Sequence, residues 1–295
     1  PKTAWPPTWV QELAQERMEQ NAQTLLETFP DSGRTGYLLR RTFDEVTQVV
    51  DELYDELSVS VFRPKFCELE FSARGALPGV AFSGKRCRGV VEGFVDRVDV
   101  WQSGGRPYVR VVDYKTGKKS FDYTNVLHGR GLQMLLYLFA LVRQGGHLLH
   151  GEPLPAGVLY FPARIERVSV RDRLAQAEIE KERRKQLRRS GVLLNSDPVL
   201  EAMEPCGGSP RFLPYALDKE GRKTGDLASF VQLAQLERFV FRTVAALGDE
   251  LADGRIDPDP CIRDAKDSAC AFCPYSEVCA GHEQPRWLKK ITAEE

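Results

Sequence analysis

Apolar residues recur at helical spacing from about residue 8 to residue 56 of the chain. Repeats of three and four residues place such side chains on one face of a helix, so this region is predicted to be helical. The segment Pro30-Asp31-Ser32-Gly33 interrupts the pattern with helix-breaking residues and therefore separates at least two helices. Nothing in the region carries evident chemistry, and a packing role is expected for it.

From residue 58 the pattern changes to a strand-like alternation of apolar and polar residues. Strands are predicted at residues 62–71 and 84–91, and the second is expected to pair with the first across a loop rich in Gly and Pro. Residues 155–161 form an apolar run of strand length, expected in the centre of the sheet, and a helix is predicted before it at residues 126–142. This order of strand, helix and strand predicts an α/β fold with a mixed sheet and helices on its faces.

The Gly104-Gly105 dipeptide lies between two further strand-like runs and is a strong signal of a β-hairpin. A tight primed turn needs positive φ at both central positions, which glycine adopts without steric cost. The register set by this turn places Asp96 opposite Asp113. Directly opposed residues have Cβ atoms about 4.5–5.5 Å apart, so the two carboxylates can share one hard cation. A slip of one residue would turn Asp113 to the other face, so this geometry depends on the turn.

Both acids fall on the apolar face of the hairpin, where an unpaired charge is costly. A metal ion together with the ammonium of Lys115 would compensate the two carboxylates. The alternative interpretation is a cross-strand salt-bridge cluster at a sheet edge, which is the commoner explanation of an isolated Asp-x-Lys. Because a second Asp is placed opposite the first, the metal site is favoured. Glu70 is a further candidate acid on an earlier strand, although an exposed strand glutamate is commoner.

Two more helices are predicted after the core strands, at residues 164–189 and 227–251, and the second is strongly amphipathic. The first is the most basic segment of the chain. One face of it can carry four cationic side chains: Lys181, Arg184, Lys185 and Arg188. Charge runs are usually solvated surfaces, but a phosphate-tracking role is the alternative hypothesis for this face.

Composition and charge limit the class of protein. Of the 295 residues, 42% are hydrophobic and 28% are charged, as in ordinary soluble globular domains. The net charge of −1 provides no global basic field, so nucleic-acid binding would have to rely on local patches. No apolar run approaches the length of a membrane span and no signal peptide opens the chain, so a cytoplasmic protein without membrane contact is expected. The start at Pro1, without Met, is expected of an excerpt or a processed form.

The chain has seven cysteines, an odd number with irregular spacing. This pattern differs from the disulfide framework of a secreted protein and favours a reduced intracellular compartment. Cys270, Cys273 and Cys279 place three thiolates within ten residues. Tetrahedral zinc and a four-iron cluster both suit such ligands, and the spacing alone leaves the choice open. The candidates for a fourth ligand are Cys261, which is the nearest, and Cys206.

Taken together, these motifs resemble the RecB-like branch of the PD-(D/E)xK nucleases, and most closely the nuclease domain of the AddB/RexB type of bacterial helicase–nuclease subunit. The matching segments follow the family's order, and together they are specific although each is weak alone. They are residues 93–99, 112–117, 131–138 and 155–160, and the cysteines of the tail. The resemblance implies a restriction-endonuclease-like mixed sheet flanked by helices, with a helical insertion and a cysteine-rich C-terminal tail.

The same resemblance implies a DNA exonuclease that depends on Mg²⁺ or Mn²⁺ and resects double-strand DNA ends in recombinational repair. Its partners would be DNA and a helicase–nuclease subunit of the AddA/RexA type. Asp96 and Asp113 would be metal ligands, with the backbone carbonyl of Tyr114 as a third. Lys115 would orient or activate the attacking water.

Further residues are assigned by the resemblance alone. Gln133 and Tyr137 match the family's Q-x-x-x-Y helix, which supports the site and the DNA backbone. The three closely spaced tail cysteines would bind a 4Fe-4S cluster, with the fourth ligand upstream of the chain or at Cys261, and Zn²⁺ is the alternative. The family also has a metal-ligating histidine on an upstream helix, whereas no histidine precedes His128 here. The metal site is therefore expected to lack this histidine within the chain, and the cluster is expected to lack its fourth ligand unless Cys261 supplies it.

Four segments are expected within one nuclease domain. Residues 1–57 form an N-terminal helical segment, residues 58–163 the core sheet with the Q-x-x-x-Y helix, residues 164–255 a helical and partly basic insertion, and residues 256–295 the cysteine-rich tail. Two other functions remain open. One is an exonuclease of CRISPR adaptation, which shares the core and a cysteine tail but is more compact. The other is a catalytically silent DNA-binding or scaffold module held by structural zinc.

Overall fold

The computed structural model covers most of the chain and confirms the predicted α/β fold. It describes residues 8–28, 33–117, 120–164, 176–205, 207–263, 268–271, 273–279 and 285–288. These residues form a six-stranded mixed sheet flanked by helices, with three small two-stranded sheets beside it. None of the described helices is long and apolar enough to cross a membrane.

Two long helices, α1 (Thr8–Thr28) and α2 (Gly33–Val59), open the structure and pack against each other. They are separate helices, as the helix-breaking segment between them predicts. α2 turns Glu52 and Glu56 into the interior of the protein. Glutamates are rarely buried unless they are paired, and these two pair with arginines from later parts of the chain.

The six strands of the main sheet come from widely separated parts of the chain. In spatial order they are β1 (Arg63–Phe71), β4 (Gly93–Ser103), β5 (Arg106–Lys115), β6 (Leu154–Pro162), β7 (Ser190–Leu194) and β10 (Leu227–Ala228). Pairing is parallel between β5 and β6 and between β7 and β10, and antiparallel between the other neighbours. β6 therefore lies inside the sheet beside β5, as its apolar sequence predicts.

Six helices follow β5 in the described part of the chain, and one of them forms the centre of the hydrophobic core. They are α3 (Tyr123–Leu127), α4 (Gln133–Gln144), α5 (Gly146–Leu149), α6 (Gln176–Leu187), α7 (Asp197–Met203) and α8 (Phe230–Ala252). The helix predicted at residues 126–142 is thus two helices, because a turn that contains Gly129 and Gly131 separates α3 from α4. α4 packs against β5, β6 and α8, and its residues 134–141 are all buried.

A separate hairpin of β2 (Val80–Ser83) and β3 (Arg88–Val91) corrects one prediction. The sequence pattern predicts that residues 84–91 pair with the first strand, but β1 pairs with β4 and β3 pairs with β2. The reason is a tertiary contact that no local pattern encodes. The carboxylate of Asp249 on α8 accepts hydrogen bonds of 2.7–3.2 Å from three consecutive backbone N–H groups at the hairpin tip and holds it against the helix.

The segment of residues 164–255, predicted as a helical insertion, is not purely helical. It contributes β7 and β10 to the main sheet, and its strands β8 (Tyr215–Leu217) and β9 (Lys223–Gly225) form a small hairpin. Residues 192–194 of β7 are fully buried, so this apolar run is stabilised more in the sheet than it would be on a surface helix. Residues 165–175, the first part of the predicted basic helix, lie outside the described residues.

The cysteine-rich tail contacts the rest of the domain near α3. Its strand β11 (Cys261–Ile262) pairs in parallel with β12 (Arg286–Trp287). Next to β11, Nη2 of Arg263 lies 2.5 Å from Oδ2 of Asp122, the residue that caps the N-terminus of α3. This half-buried ion pair joins the tail to the first helix after β5.

Candidate active site

The turn between β4 and β5 sets the geometry of the site and confirms the predicted register. Both glycines of the turn have positive φ, at 58° and 76°, as a primed turn requires. From the turn the ladder runs in the predicted register as far as Arg97, which lies opposite Val112. Asp96 and Asp113 are the next residues along the two strands.

Beyond the ladder, the side chain of Asp96 bonds directly to the second strand. Its Oδ2 accepts a hydrogen bond of 2.8 Å from the backbone N–H of Tyr114, which belongs to the peptide that follows Asp113. This bond replaces the next ladder contact and ties the two strands together where regular pairing stops. The groups predicted to bind metal, which are the two carboxylates and the Tyr114 peptide, therefore lie at the same end of the hairpin.

Lys115 pairs with Asp113, and its Nζ lies 2.5 Å from the Oδ2 atom of that carboxylate. Asp113 is buried, with 7% of its surface exposed, whereas the side chain of Lys115 is 36% exposed. The ammonium thus compensates a buried carboxylate while part of it remains open to solvent. This is the arrangement expected of a lysine that can also reach a bound substrate or water.

Tyr160 is a neighbour of Asp113 that the sequence pattern does not reveal. It lies beside Asp113 in the parallel register of β5 and β6 and is 5% exposed. Burial and the negative charge of Asp113 raise the pKa of Tyr160 to about 12. The phenol therefore stays neutral at physiological pH and adds no second negative charge beside the carboxylate.

Gln133 and Tyr137 lie together on the first turns of α4, as their spacing predicts. Nε2 of Gln133 donates to the hydroxyl of Tyr137 over 3.4 Å. The Tyr137 ring stacks on Phe71, with centroids 5.2 Å apart and an interplanar angle of 19°. Its hydroxyl lies against Gly93, and a Cβ at that glycine would overlap the oxygen. The helix thus touches the beginning of β4, three residues before Asp96.

The oxygen donors at the hairpin suit a magnesium or manganese ion. Carboxylates and carbonyls are hard ligands, and Mg²⁺ sites commonly combine one or two carboxylates with several waters. Glu70 lies opposite Phe94 and accepts a hydrogen bond of 2.6 Å from the hydroxyl of Ser72. Within the described part of the chain, no three or more His, Cys, Asp or Glu side chains are grouped so that they could hold a metal ion. Among the described residues, the site therefore offers two carboxylates and no third acid.

The tail cysteines lie in a turn-rich segment and form no disulfides. Cys261, Cys270, Cys273 and Cys279 are all partly buried. The backbone N–H of Cys273 donates to the carbonyl of Cys270 at 3.2 Å, which places these two residues in one turn. Thiols of this kind suit either zinc or an iron–sulfur cluster. Cys206 lies outside the described residues, and among those described no three thiols are gathered into a group that could hold a metal.

Three basic residues of α6 and Arg188, which directly follows the helix, line one groove. Lys181, Arg184, Lys185 and Arg188 line it together with Pro210 and Arg211. Two of these cations pair with acids of the same helix at 3.0 and 3.2 Å, and these pairs are solvent-exposed. Exposed ion pairs of this kind contribute little to stability, so these two cations remain available to an anionic ligand.

Comparison with known proteins identifies the family of the chain. A family profile described as the PD-(D/E)XK nuclease superfamily matches residues 3–280 of the chain. The chain belongs to this nuclease superfamily. The match includes every candidate residue of the hairpin, of α4 and of the cysteine tail, so the resemblance that the motifs indicate is confirmed.

Curated relatives of this superfamily member include several proteins named as one subunit of an ATP-dependent helicase/deoxyribonuclease. The one from Moorella thermoacetica is 35% identical over 258 residues, which cover 86% of this chain and 22% of the relative. Those from Bacillus licheniformis and Alkaliphilus oremlandii are 30% and 29% identical, over 86% and 89% of this chain and 22% and 24% of the relatives. This chain thus spans less than a quarter of the length of these curated relatives.

Proposed function

We propose that this chain is the nuclease domain of a bacterial helicase–nuclease and that it hydrolyses phosphodiester bonds of DNA. The proposal rests on the way the site is joined. Asp96 accepts a hydrogen bond from the backbone N–H of Tyr114, and Lys115 forms an ion pair of 2.5 Å with Asp113. Membership of a nuclease superfamily and the relatives' names, which combine helicase and deoxyribonuclease, support it. The biological role that follows is resection of double-strand DNA ends in recombinational repair, with an AddA/RexA-type subunit as partner.

The proposed cofactor is Mg²⁺ or Mn²⁺, held by Asp96, Asp113 and the carbonyl of Tyr114. When bound, such an ion supplies a Lewis acid at the scissile phosphate and lowers the pKa of an attacking water. The hydrogen bond from Tyr114 uses Oδ2 of Asp96 and keeps that carboxylate oriented towards the second strand. Preorganised ligands lose less freedom when the ion binds, which favours binding.

Lys115 is the residue proposed to act on the nucleophile. Its ammonium compensates Asp113, and its side chain is 36% exposed, so the ammonium can also donate hydrogen bonds to the attacking water or to the phosphate. Gln133 and Tyr137 are proposed to support this corner of the site and the DNA backbone from α4.

Cleavage of end-labelled linear DNA in Mg²⁺ tests the proposal. We expect Lys115→Ala to lower the rate by about 10²–10⁴-fold, the usual contribution of a group that assists proton transfer. Asp113→Ala should abolish cleavage while the circular dichroism spectrum stays that of a folded chain. Lys219→Ala, which removes an exposed lysine between β8 and β9, is the matched control and should cleave normally. Unchanged cleavage by Asp113→Ala would sink the assignment.

For the tail we propose a 4Fe-4S cluster on Cys270, Cys273 and Cys279, with a fourth ligand at Cys261 or outside this chain; Zn²⁺ is the second candidate. Protein purified without oxygen should then be brown, with broad visible absorbance that dithionite bleaches. Zinc sites are colourless because the ion has a filled d shell. Metal analysis that finds zinc and no iron would reject the cluster and leave the nuclease assignment standing.

A further inference from the structure

A cluster of buried, ionised side chains lies next to the site, on the face of the sheet that carries Arg97, Asp99 and Arg110. These three residues are 2%, 0% and 0% exposed. Arg110 lies directly opposite Asp99 in the ladder, and its Nε donates to Oδ2 of that carboxylate at 2.8 Å. Nε of Arg97 lies 2.9 Å from the other oxygen, Oδ1. Asp99 is thus held between two guanidinium groups.

Two other elements complete this cluster. The carboxylate of Glu56 in α2 pairs with two arginines. Its oxygens lie 2.8 Å from Nη2 of Arg110 and 2.7 Å from Nη2 of Arg189, which directly precedes β7. Burial opposes ionisation of Glu56, but the charges of Arg189, Arg110 and Arg97 outweigh it and lower its pKa to about 2. Removing one partner of a buried ion pair is costly, so these pairs form one interlocked block of charges.

Tyr114 connects this block to the candidate metal site. Nη1 of Arg97 donates to the Tyr114 hydroxyl at 2.6 Å. The backbone N–H of the same tyrosine donates to Asp96 at 2.8 Å. Burial raises the pKa of the Tyr114 phenol although Arg97 opposes the rise, so the hydroxyl stays protonated at neutral pH. Tyr114 is therefore anchored through its side chain in this cluster of buried charges, the ion cluster. Through its backbone N–H it holds the carboxylate of Asp96 in the site.

We propose that the Tyr114 hydroxyl and Arg97 are positioning residues, which set the metal-binding geometry from within the ion cluster. The inference rests on the metal site of the proposed function and adds what fixes its ligands. With the phenol anchored, the Tyr114 peptide keeps one orientation, and the carboxylate of Asp96 keeps its hydrogen bond to that peptide. Outer partners of this kind orient metal ligands, and their loss typically weakens metal affinity by about 10–100-fold.

A role of the ion cluster in stability alone predicts different results from a role in positioning ligands, so experiment can distinguish the two roles. If the ion cluster only stabilises the fold, every disturbance of it should lower the unfolding free energy and leave intrinsic metal affinity unchanged. If it positions the ligands, the end that touches Tyr114 should affect metal binding and the far end should not. Glu52 marks the far end, since it pairs with Arg189 at 3.3 Å and Arg211 at 2.5 Å.

The test compares Tyr114→Phe with Glu52→Gln in the 295-residue chain. Mn²⁺ affinity is measured by titration against the free-ion EPR signal, and stability by urea unfolding in EDTA. We expect Tyr114→Phe to bind Mn²⁺ about tenfold more weakly than wild type. Glu52→Gln should bind it with wild-type affinity although it is less stable. DNA cleavage by Tyr114→Phe should need more Mg²⁺ and recover most of the wild-type rate when the ion is saturating.

Four outcomes count against the inference. Wild-type Mn²⁺ affinity in Tyr114→Phe would overturn the positioning role and leave the proposed function intact. An equal loss of affinity in Glu52→Gln would show that general loosening of the fold, and not the Tyr114 anchor, controls binding. Failure of the wild-type chain to bind Mn²⁺, or undiminished binding by Asp113→Ala, would instead remove the metal site of the proposed function and the inference with it.

Discussion

Gly93 shows how the absence of one side chain shapes the site. The hydroxyl of Tyr137 lies where a Cβ on Gly93 would be, so any side chain there must push the tyrosine away. The same displacement disturbs the 3.4 Å contact between Tyr137 and Gln133. We expect Gly93→Ala to slow DNA cleavage by up to about a hundredfold, because a shift of about 1 Å near reacting groups can have such an effect. Cleavage of end-labelled linear DNA in Mg²⁺ measures it.

Gly33→Ala is the matched control for this variant, since a Cβ at that position meets no atom within 4 Å. It should cleave at the wild-type rate. Thermal melting followed by circular dichroism distinguishes a displaced Tyr137 from a destabilised fold. Full cleavage by a Gly93→Ala variant that melts like wild type would contradict the role assigned to this close approach.

At the scale of single residues, the local sequence pattern predicts some positions of the site but not others. The two hairpin acids and Lys115 can be predicted because a two-residue turn with positive φ angles allows one register. Tyr160 cannot, since its approach to Asp113 depends on parallel pairing between strands that helices separate. The anchoring of the Tyr114 side chain is also hidden, because its partner Arg97 has the sequence pattern of an exposed charge.

Among the elements, α6 is the one whose charge suits a DNA backbone. Lys181 and Lys185 lie in its basic groove, and neither is buried. We expect the double variant Lys181→Ala, Lys185→Ala to bind DNA more weakly and with a shallower salt dependence. Each lost phosphate contact makes the negative slope of log K against log salt shallower by about 0.7–0.9. The magnitude of the slope should therefore decrease by between about 1 and 2. Fluorescence anisotropy in EDTA, between low and moderate salt, measures both quantities.

Removal of two exposed arginines from α2, by Arg34→Ala with Arg40→Ala, is the control for this experiment. It changes the net charge by the same amount on another helix. Equal effects of both double variants would mean that DNA responds to overall charge and that α6 has no special role. An unchanged slope in the α6 variant would mean that its lysines do not contact phosphates.

The pattern analysis identifies the main helices and strands but not all of their partners. Alternation and spacing are local properties, so they locate β1, β6 and α8 well. The choice of a pairing partner is a tertiary property. The β2–β3 hairpin stands apart because Asp249 binds its tip from α8, and β7 joins the sheet from within a segment with a mainly helical pattern. Neither contact leaves a trace in the periodicity of the chain.

Across the whole molecule, the buried ion cluster connects α2 to the sheet. Glu56 and its partner Arg110 are 54 residues apart in the chain, and Glu56 and Arg189 are 133 apart. Charged residues are almost never fully buried unless paired, so a sequence pattern assigns each of them to the surface. A chain with a net charge of −1 can therefore hide a large internal charge arrangement that composition does not reveal.

This internal arrangement predicts how the stability of the molecule depends on pH. The pKa of Glu56 is lowered from 4.5 to about 2 in the folded protein, so its ionised form stabilises the fold above the unfolded value. That contribution, about 3 kcal/mol at neutral pH, is lost as the pH falls from 4.5 through 2. We expect Glu56→Gln to be less stable than wild type at pH 7 by at least about 3 kcal/mol, because it also leaves guanidinium groups unpaired.

Urea unfolding of wild type and Glu56→Gln at several pH values measures this dependence. The difference between their unfolding free energies should shrink by about 2 kcal/mol between pH 6 and pH 3, because protonation progressively removes the charge that only the wild type has. Glu12→Gln, on the exposed face of α1, should follow the wild-type curve throughout. A stability difference that stays constant with pH would mean that the Glu56 carboxylate is not held ionised by its three arginines.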